Sequence, residues 1–175
     1  MKRSFFLALL APVALAGSLQ AAVFLEIDGI KGESRDSQHP GTIEIESFSW
    51  GATHTPASGA GGGAGKVSFS DIHFTSSLTK ATPQLLIASA SGAPIPTAKL
   101  HVRKAGEGQT AYYVITLENI LISSLQQSGR NQSSTSTNDP PPTDSFSLNF
   151  EKVTLRHTAE DGTVTTGTAI RTPVQ

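Results

Sequence analysis

The sequence predicts a mainly β protein: an antiparallel β-barrel of two packed sheets, with one short α-helix at its side. Two patterns support this fold class. Several stretches carry β-branched and aromatic residues, and clusters of Gly, Pro, Ser and Asn separate them. One further stretch has complete start and stop signals for a helix. At 175 residues without a cysteine, the chain is predicted to form one domain held by packing and hydrogen bonds.

The strands are predicted from β-branched and aromatic content. In chain order they are Val23–Ile27, Thr42–Trp50, Lys66–Phe74, Ala98–Lys104, Ala111–Ile122, Asp144–Arg156 and a weaker Val164–Ile170. The helix is predicted between the third and fourth strands. Thr82 is its expected N-cap, Pro83 its first helical residue, and Gly92 follows its end. Because its apolar face is short, we expect it to lie against one side or end of the barrel.

Two connections are long. Residues from Gln126 to Thr143 are polar and proline-rich, which predicts a flexible hairpin connection. The glycine-rich stretch from Ala52 to Gly65 is long enough to be either disordered or ordered by docking on a neighbouring chain. It resembles a phosphate-binding loop, but Val67 stands where that motif needs Ser or Thr, and a strand follows instead of a helix. A nucleotide site is therefore excluded.

The hydrophobic pattern changes phase within two strands. Ile43 and Ile45 share one face while Phe48 and Trp50 share the other, and the strand near Phe150 changes in the same way. Since side chains alternate along a strand, such a change requires a bulge, a covering element, or burial on both faces in turn. The pattern leaves two alternatives open: a bend or cover within one chain, and a second subunit on the outer face.

Composition and motifs give no sign of a catalytic, cofactor or metal site. Charged residues make up 15% of the chain and the net charge is −1, so a nucleic-acid partner is not expected. The histidines lack the short spacings of metal ligands, and the G-x-S-x-G motif is missing. We predict a protein that is not an enzyme. A secreted hydrolase remains a minor alternative, which an Asp–His–Ser constellation in a cleft would support.

The N-terminus predicts a signal peptide over residues 1–21, followed by a single β-barrel domain over residues 22–175. Lys2 and Arg3 precede an apolar run from Phe5 to Ala16, and small residues suit cleavage after Ala21. Removing the two basic residues leaves 11 basic against 14 acidic side chains. The mature protein is expected to be exported, periplasmic or secreted, and free of the membrane. The alternative is translation from a start near Val23, which would place the protein in the cytoplasm before secretion.

The chain resembles the Hcp (haemolysin-coregulated) proteins of bacterial type VI secretion. Seven strings carry the resemblance, in matching order from about Val23 to about Leu155. They are D-G-I-K-G-E-S from Asp28, S-F-S-W-G from Ser47, G-G-G-A-G-K-V from Gly61, T-P-Q-L-L-I-A-S-A-S-G from Thr82, A-K-L-H-V-R-K-A-G from Ala98, Y-Y-V-I-T-L-E-N-I-L-I-S-S from Tyr112 and F-S-L-N-F-E-K-V from Phe146. The signal peptide departs from the family pattern, because the resemblance implies assembly in the cytoplasm.

The resemblance implies a homo-oligomer, a hexameric ring with a wide lumen. Such rings stack, carry effector proteins in the lumen, and work with sheath and spike proteins. A second subunit on the outer face would then explain the phase changes. We expect the subunit interface to contain Phe48, Trp50, Gly61, Gly62, Gly63, Gly65 and Arg103. The glycines would allow a neighbouring backbone to approach closely.

Arg103 is included because it belongs to a basic strand face. Lys99, His101, Arg103 and Lys104 are interleaved with Leu100 and Val102. This face is either a solvated exterior or a contact with Glu44, Glu46 or Glu118 of an adjacent subunit. The alternative function is a Sec-exported β-barrel binding module with no role in type VI secretion, which suits the signal peptide better.

Overall fold

The computed structural model describes residues 21–55, 66–104, 111–129 and 141–171. Ten strands and one helix lie in these ranges. In chain order they are β1 (Ala22–Ile27), β2 (Ile43–Glu44), β3 (Ser47–Ser49), β4 (Ala52–Thr55), β5 (Lys66–Phe69), β6 (Ile72–Ser77), α1 (Thr82–Ser91), β7 (Ile95–Arg103), β8 (Ala111–Ser128), β9 (Thr143–Thr158) and β10 (Val164–Ile170).

Eight of these strands form one antiparallel sheet. Its order is β2-β1-β7-β8-β9-β6-β3, and β10 pairs with β9. Strand β6 pairs with the first part of β9 and β10 with the last part, so both lie on the same edge of β9. Strands β4 and β5 form a separate two-stranded hairpin.

The sheet curls until one short segment bridges its two edges. Strands β2 and β3 are at opposite ends of the sheet order, yet Ile45 and Glu46 alone separate them in the chain. The N–H of Ile45 donates to the carbonyl of Val23 on β1 at 2.9 Å, and the N–H of Glu46 donates to the carbonyl of Thr75 on β6 at 2.8 Å. The predicted β-barrel is confirmed, and its two packed sheets are opposite walls of this one curled sheet.

The core lies between these walls. Leu25, Leu100 and Ile115 are neighbours across three adjacent strands, and each is at most 1% exposed. On the other wall, the rings of Phe74 and Phe146 stack with their centroids 5.3 Å apart. Burying each of these side chains contributes roughly 1.5–3 kcal/mol, so aliphatic and aromatic packing holds the two walls together.

The phase change in the long strands comes from a bend within the chain. Asn119 has a φ of +51°, and the pairing of β8 with β9 skips from Glu118 to Ile120. The amide of Asn119 donates to the Glu151 carboxylate at 2.7 Å. Phe150 and Val153 lie on either side of this bend, and both belong to the core. The phase change therefore gives no support for a second subunit on the outer face, because an L residue at positive φ redirects the strand.

The helix lies against β8 at the side of the barrel. Its N-cap is Ala81, not the predicted Thr82, and no side chain caps it. The Thr82 hydroxyl donates instead to the buried carboxylate of Asp144 on β9 and accepts from the N–H of Thr79 at 3.1 Å. Gly92 ends the helix with a φ of +60°, as predicted, since this left-handed position favours glycine.

Candidate functional site

The glycine-rich connection begins with a strand that sequence analysis missed. Ala52–Thr55 was predicted to be loop, but it pairs with Lys66–Phe69 to form the β4–β5 hairpin. Thr53 and Thr55 are the β-branched signal that the surrounding glycines obscured. All four β4 residues are exposed. Gly61, Gly62, Gly63 and Gly65, the predicted interface glycines, lie outside the described residues.

The two aromatic residues of the predicted interface contact the core of their own chain. Phe48 pairs with Phe74 across β3 and β6, and the Trp50 ring meets the edge of Phe150 with centroids 6.3 Å apart. Both side chains are partly buried. Each therefore has one side on the barrel core and part of its surface open, and their role in an interface stays a prediction.

The predicted basic face exists, but the chain itself covers part of it. Lys99, His101 and Arg103 lie opposite Glu26, Phe24 and Ala22 of β1 on the outer face of the sheet. The Arg103 side chain is 10% exposed, and its Nη2 lies 2.8 Å from the Asp36 carboxylate. The connection after β1 thus supplies an acidic partner, Asp36, from the same chain, and a contact of Arg103 with a glutamate of a neighbouring subunit stays a prediction.

We call that connection, Lys31–Thr42, the strap. It is tied across its base by hydrogen bonds from the N–H of Gly32 to the carbonyl of Gly41 at 2.8 Å and from the N–H of Ser34 to the carbonyl of Thr42 at 3.1 Å. Gly32 passes so close to Thr42 that a Cβ would meet the carbonyl oxygen at 2.2 Å. The position requires glycine for this close approach.

Three rings stack beneath the strap. Phe24 of β1 and His39 of the strap stack with centroids 4.8 Å apart, and His39 lies 4.6 Å from His101 of β7. The Arg103 guanidinium lies over the Phe24 ring at 4.8 Å. Phe24 is consequently buried, at 4% exposure, although it points away from the barrel core. Sequence analysis did not predict this cluster. The turn-forming residues from Asp36 to Gly41, which follow the outward-facing Phe24, are the sequence feature that could have indicated it.

The pKa values of His39, His101 and Asp36 are all lowered, but burial is the cause only for the two histidines. Burial lowers the pKa of His39 and of His101 below the ordinary value of 6.5, because a charged imidazole loses its hydration there. Burial pushes the pKa of Asp36 upward, but the N–H groups of Gln38 and His39 and the Arg103 guanidinium outweigh it, so that pKa is lowered.

A second surface feature is the edge strand β10. Its pairing with β9 runs from Val164 opposite Thr158 to Ile170 opposite Lys152. All seven residues except Ala169 are exposed, with Val164 at 46% and Ile170 at 64%. No other described strand pairs with its outer edge. The strand was predicted, but its exposure was not, because a sequence of Val, Thr, Gly and Ala does not reveal which edge of a sheet it occupies.

A cleft of about 650 Å³, lined by both acidic and apolar side chains, lies at the start of β1. The strap forms one wall through Glu33 and Asp36, and the β2–β3 bridge contributes Glu44 and Glu46. Part of the acidic lining is already engaged: Glu46 accepts from the Ser77 hydroxyl at 2.7 Å and Asp36 binds Arg103.

The described residues do not form the hydrolase constellation that would favour an enzyme. The Ser147 hydroxyl lies 2.7 Å from Nδ1 of His73, but Ser147 is 3% exposed. The carboxylate of Asp71 binds Arg171 and Asn149, each at 2.8 Å, rather than the histidine. Nucleophilic catalysis requires an accessible hydroxyl and an oriented base.

The described ranges contain neither a candidate metal site nor a membrane-spanning helix. No group of three or more His, Cys, Asp or Glu side chains there is arranged to hold a metal ion. None of the helices in those ranges is long and apolar enough to cross a membrane.

The fold and surface define a class: a curled antiparallel β-barrel with an exposed edge strand and a separate two-stranded hairpin. The family model described as "Type VI secretion system effector, Hcp" matches residues 24–157. The protein hcp1 of Pseudomonas aeruginosa is 37% identical over 134 residues, covering 75% of this chain and 79% of that protein. The chain therefore belongs to the Hcp family of type VI secretion system effectors, which confirms the resemblance seen in the sequence.

Solved structures agree with this assignment. The crystal structure of Hcp1 from Salmonella typhimurium superimposes with a TM-score of 0.71 at 29% identity, covering 86% of this chain and 94% of that one. A type VI secretion system effector from Yersinia pestis gives a TM-score of 0.70 at 24% identity, covering 85% of this chain and 98% of that one. The Yersinia structure supports the fold alone.

Proposed function

We propose that this protein is a non-enzymatic structural component of a type VI secretion system that assembles into homohexameric rings and carries effector proteins in their lumen. The observation that carries the proposal is membership of the Hcp family over residues 24–157. Effector cargo, sheath and spike partners follow from the family resemblance. We call the protein structural because, in this proposal, it acts through the surfaces that contact other chains.

Strand β10 supports self-association. An exposed strand edge presents unpaired N–H and C=O groups that another chain can bind, and natural proteins usually cover, shorten or charge such edges. Here the edge strand carries no charged residue and has exposed apolar side chains at both ends, Val164 and Ile170. A neighbouring subunit on this edge would satisfy the main-chain groups and cover the apolar ends.

The interface we propose also includes the open sides of Phe48 and Trp50 and the glycine-rich connection with Gly61, Gly62, Gly63 and Gly65. Strand β4, where this connection begins, is exposed along its length, which supports a role in contacting another chain. Arg103 would act on the interface through the strap, since its guanidinium is engaged by Asp36.

Light scattering on residues 22–175 at micromolar concentration tests the ring. We expect six times the mass of one chain, and a monomeric mass would overturn the proposal. Val164→Lys and Ile170→Lys should both shift the mass toward smaller species, because each places a charge against the proposed neighbour. Leu86→Lys on the helix is the matched control: Leu86 is 57% exposed and lies away from β10, so its mass should stay that of the wild type.

The chain has a single tryptophan, which gives a direct test of the aromatic interface. If Trp50 loses solvent contact on assembly, its emission should shift to longer wavelength when the protein is diluted below the association midpoint. Emission that stays constant while light scattering records dissociation would remove Trp50 from the interface and leave the ring in place.

A second candidate function is a Sec-exported binding module outside type VI secretion, which the predicted signal peptide over residues 1–21 favours. N-terminal sequencing of the protein from its native cells separates the two. A mature start at Ala22, together with export in a strain that lacks the secretion machine, supports the module. An unprocessed start near Val23, with export that depends on the machine, supports the ring component.

A further inference from the structure

The strap contacts the barrel through a group of rings that includes two histidines. His39 lies between Phe24 and His101, with ring centroids 4.8 and 4.6 Å away. Its Nε2 atom is buried and has no hydrogen-bond partner among the described residues. A buried nitrogen without a partner tolerates a lone pair better than a charged N–H, because the charge would lose its hydration without compensation.

The charged groups around the two rings do not compensate for a proton. Asp36 of the strap and Glu26 of β1 favour protonation, whereas Arg103 opposes it for His39, and Lys99 of β7 opposes it for His101. The Asp36 carboxylate already binds Arg103 at 2.8 Å, and Glu26 is no closer than 3.9 Å to Nε2 of His101. Each imidazolium would also repel the other.

We propose that the strap, Lys31–Thr42, is an acid-released clasp: protonation of His39 and His101 places two positive charges in contact beside Arg103 and detaches the strap from the β1–β7 face. At neutral pH the clasp is closed, and Phe24 is 4% exposed. Release uncovers Phe24 and the Arg103 guanidinium and moves Glu33 and Asp36, which form a wall of the cleft at the start of β1. The chain would thus present a more apolar and cationic surface in mildly acidic surroundings.

The direction of the effect follows from proton linkage. A histidine whose pKa is lowered in the closed state binds more protons when the strap is open, so falling pH favours opening. The effect begins as the pH falls through the ordinary value of 6.5. The pKa of Asp36 is lowered from 3.8, so its carboxylate stays ionised through this range. Its ion pair with Arg103 therefore opposes release and breaks when the strap detaches.

Amide hydrogen exchange between pH 7 and pH 5, corrected for the chemical exchange rate, tests the clasp. The reporters are the amides of Gly32, Ser34 and Gly41, which donate to main-chain carbonyls across the base of the strap. We expect their opening constants to rise by up to about tenfold per pH unit for each histidine that titrates. Amides in the β8–β9 pairing should keep their protection. Equal loss in both places would mean acid unfolding of the whole barrel and would overturn the proposal.

Matched variants identify the histidines as the cause. His39→Phe keeps the stacked ring and removes the titrating group, and His101→Gln keeps a polar side chain of similar length. The double variant should show strap opening that is independent of pH. His54→Gln, at an exposed position on β4, should keep the wild-type dependence. A wild type without pH dependence, or a double variant with the wild-type slope, contradicts the clasp.

Discussion

Substituting alanine for Gly32 is expected to destabilise the protein through the strap. An ideal Cβ at this position lies 2.2 Å from the carbonyl oxygen of Thr42, 2.5 Å from its carbonyl carbon and 2.7 Å from the nitrogen of Ile43. All three are main-chain atoms, so no side-chain rotation can relieve the overlap. Since ordinary contact begins near 3.4 Å, the strap must move by about 1 Å.

The size of the effect follows from what that movement breaks. The N–H of Gly32 would separate from the carbonyl of Gly41 and the N–H of Ser34 from the carbonyl of Thr42. Each bond contributes about 1 kcal/mol net, and the residual overlap adds strain. Alanine also restricts the unfolded chain, which offsets roughly 0.4–1 kcal/mol. The free energy of unfolding should fall by about 2–4 kcal/mol, within the upper range for single substitutions.

Urea unfolding of residues 22–175, followed by circular dichroism, measures this change. Wild type and variant are compared at one protein concentration, because any self-association adds to the apparent stability. Gly51→Ala is the control: its Cβ has nothing within 4 Å and its φ is not positive, so its midpoint should match the wild type to within about 0.5 kcal/mol. A Gly32→Ala midpoint equal to that of Gly51→Ala would refute the close-approach argument.

Three further changes test other parts of the structure by the same unfolding assay. Asp144→Ala removes a buried acceptor from the Thr82 hydroxyl and from the side-chain amide of Gln127, and should lower the free energy of unfolding by about 2–4 kcal/mol. Adding Thr82→Val in a double variant should lower it little further, because the same hydrogen bond is already lost. Asn119→Val should cost about 2 kcal/mol, because a β-branched residue is strained at a φ of +51° and the bond to Glu151 is lost; an unchanged midpoint would contradict the bend. Burial raises the pKa of Asp71, but hydrogen bonds, led by that from Arg171, outweigh it and lower the pKa below 3.8. The stabilisation from this carboxylate is therefore fully present above pH 3.8 and is lost as the pH falls through the lower pKa of Asp71 in the folded protein. The free energy of unfolding of Asp71→Asn should consequently fall less on acidification than that of the wild type.

The strands, the helix and the family were predictable from local signals. Val23–Ile27 and Val164–Ile170 agree with the observed strands to within one residue, because β-branched runs bounded by turn residues determine their own conformation. The predicted Lys66–Phe74 strand divides at Ser70 and Asp71 into β5 and β6, and this break is not visible in the side-chain pattern. Boundaries depend on which neighbour each half pairs with.

The candidate surfaces were less predictable. Arg103 was correctly placed on the outer face of its strand, since alternation fixes that face. Its partner Asp36 lies 67 residues away in the chain, and no periodicity connects the two. Phe24 illustrates the same limit: its outward position was predictable, but its burial depends on a strap whose path is set by long-range contacts.

The sequence by itself determined the β class, the place of the helix and its end at Gly92, and the motifs that mark the Hcp family, because propensity, alternation and turn chemistry act between residues close in the chain. Tertiary structure alone decided that Ile45 and Glu46 carry the chain from one edge of the sheet to the other, that the bend at Asn119 keeps Phe150 and Val153 in one core, and that His39 rests between Phe24 and His101. These contacts join residues far apart in sequence. They stabilise the protein only once the sheet has curled and brought those residues together.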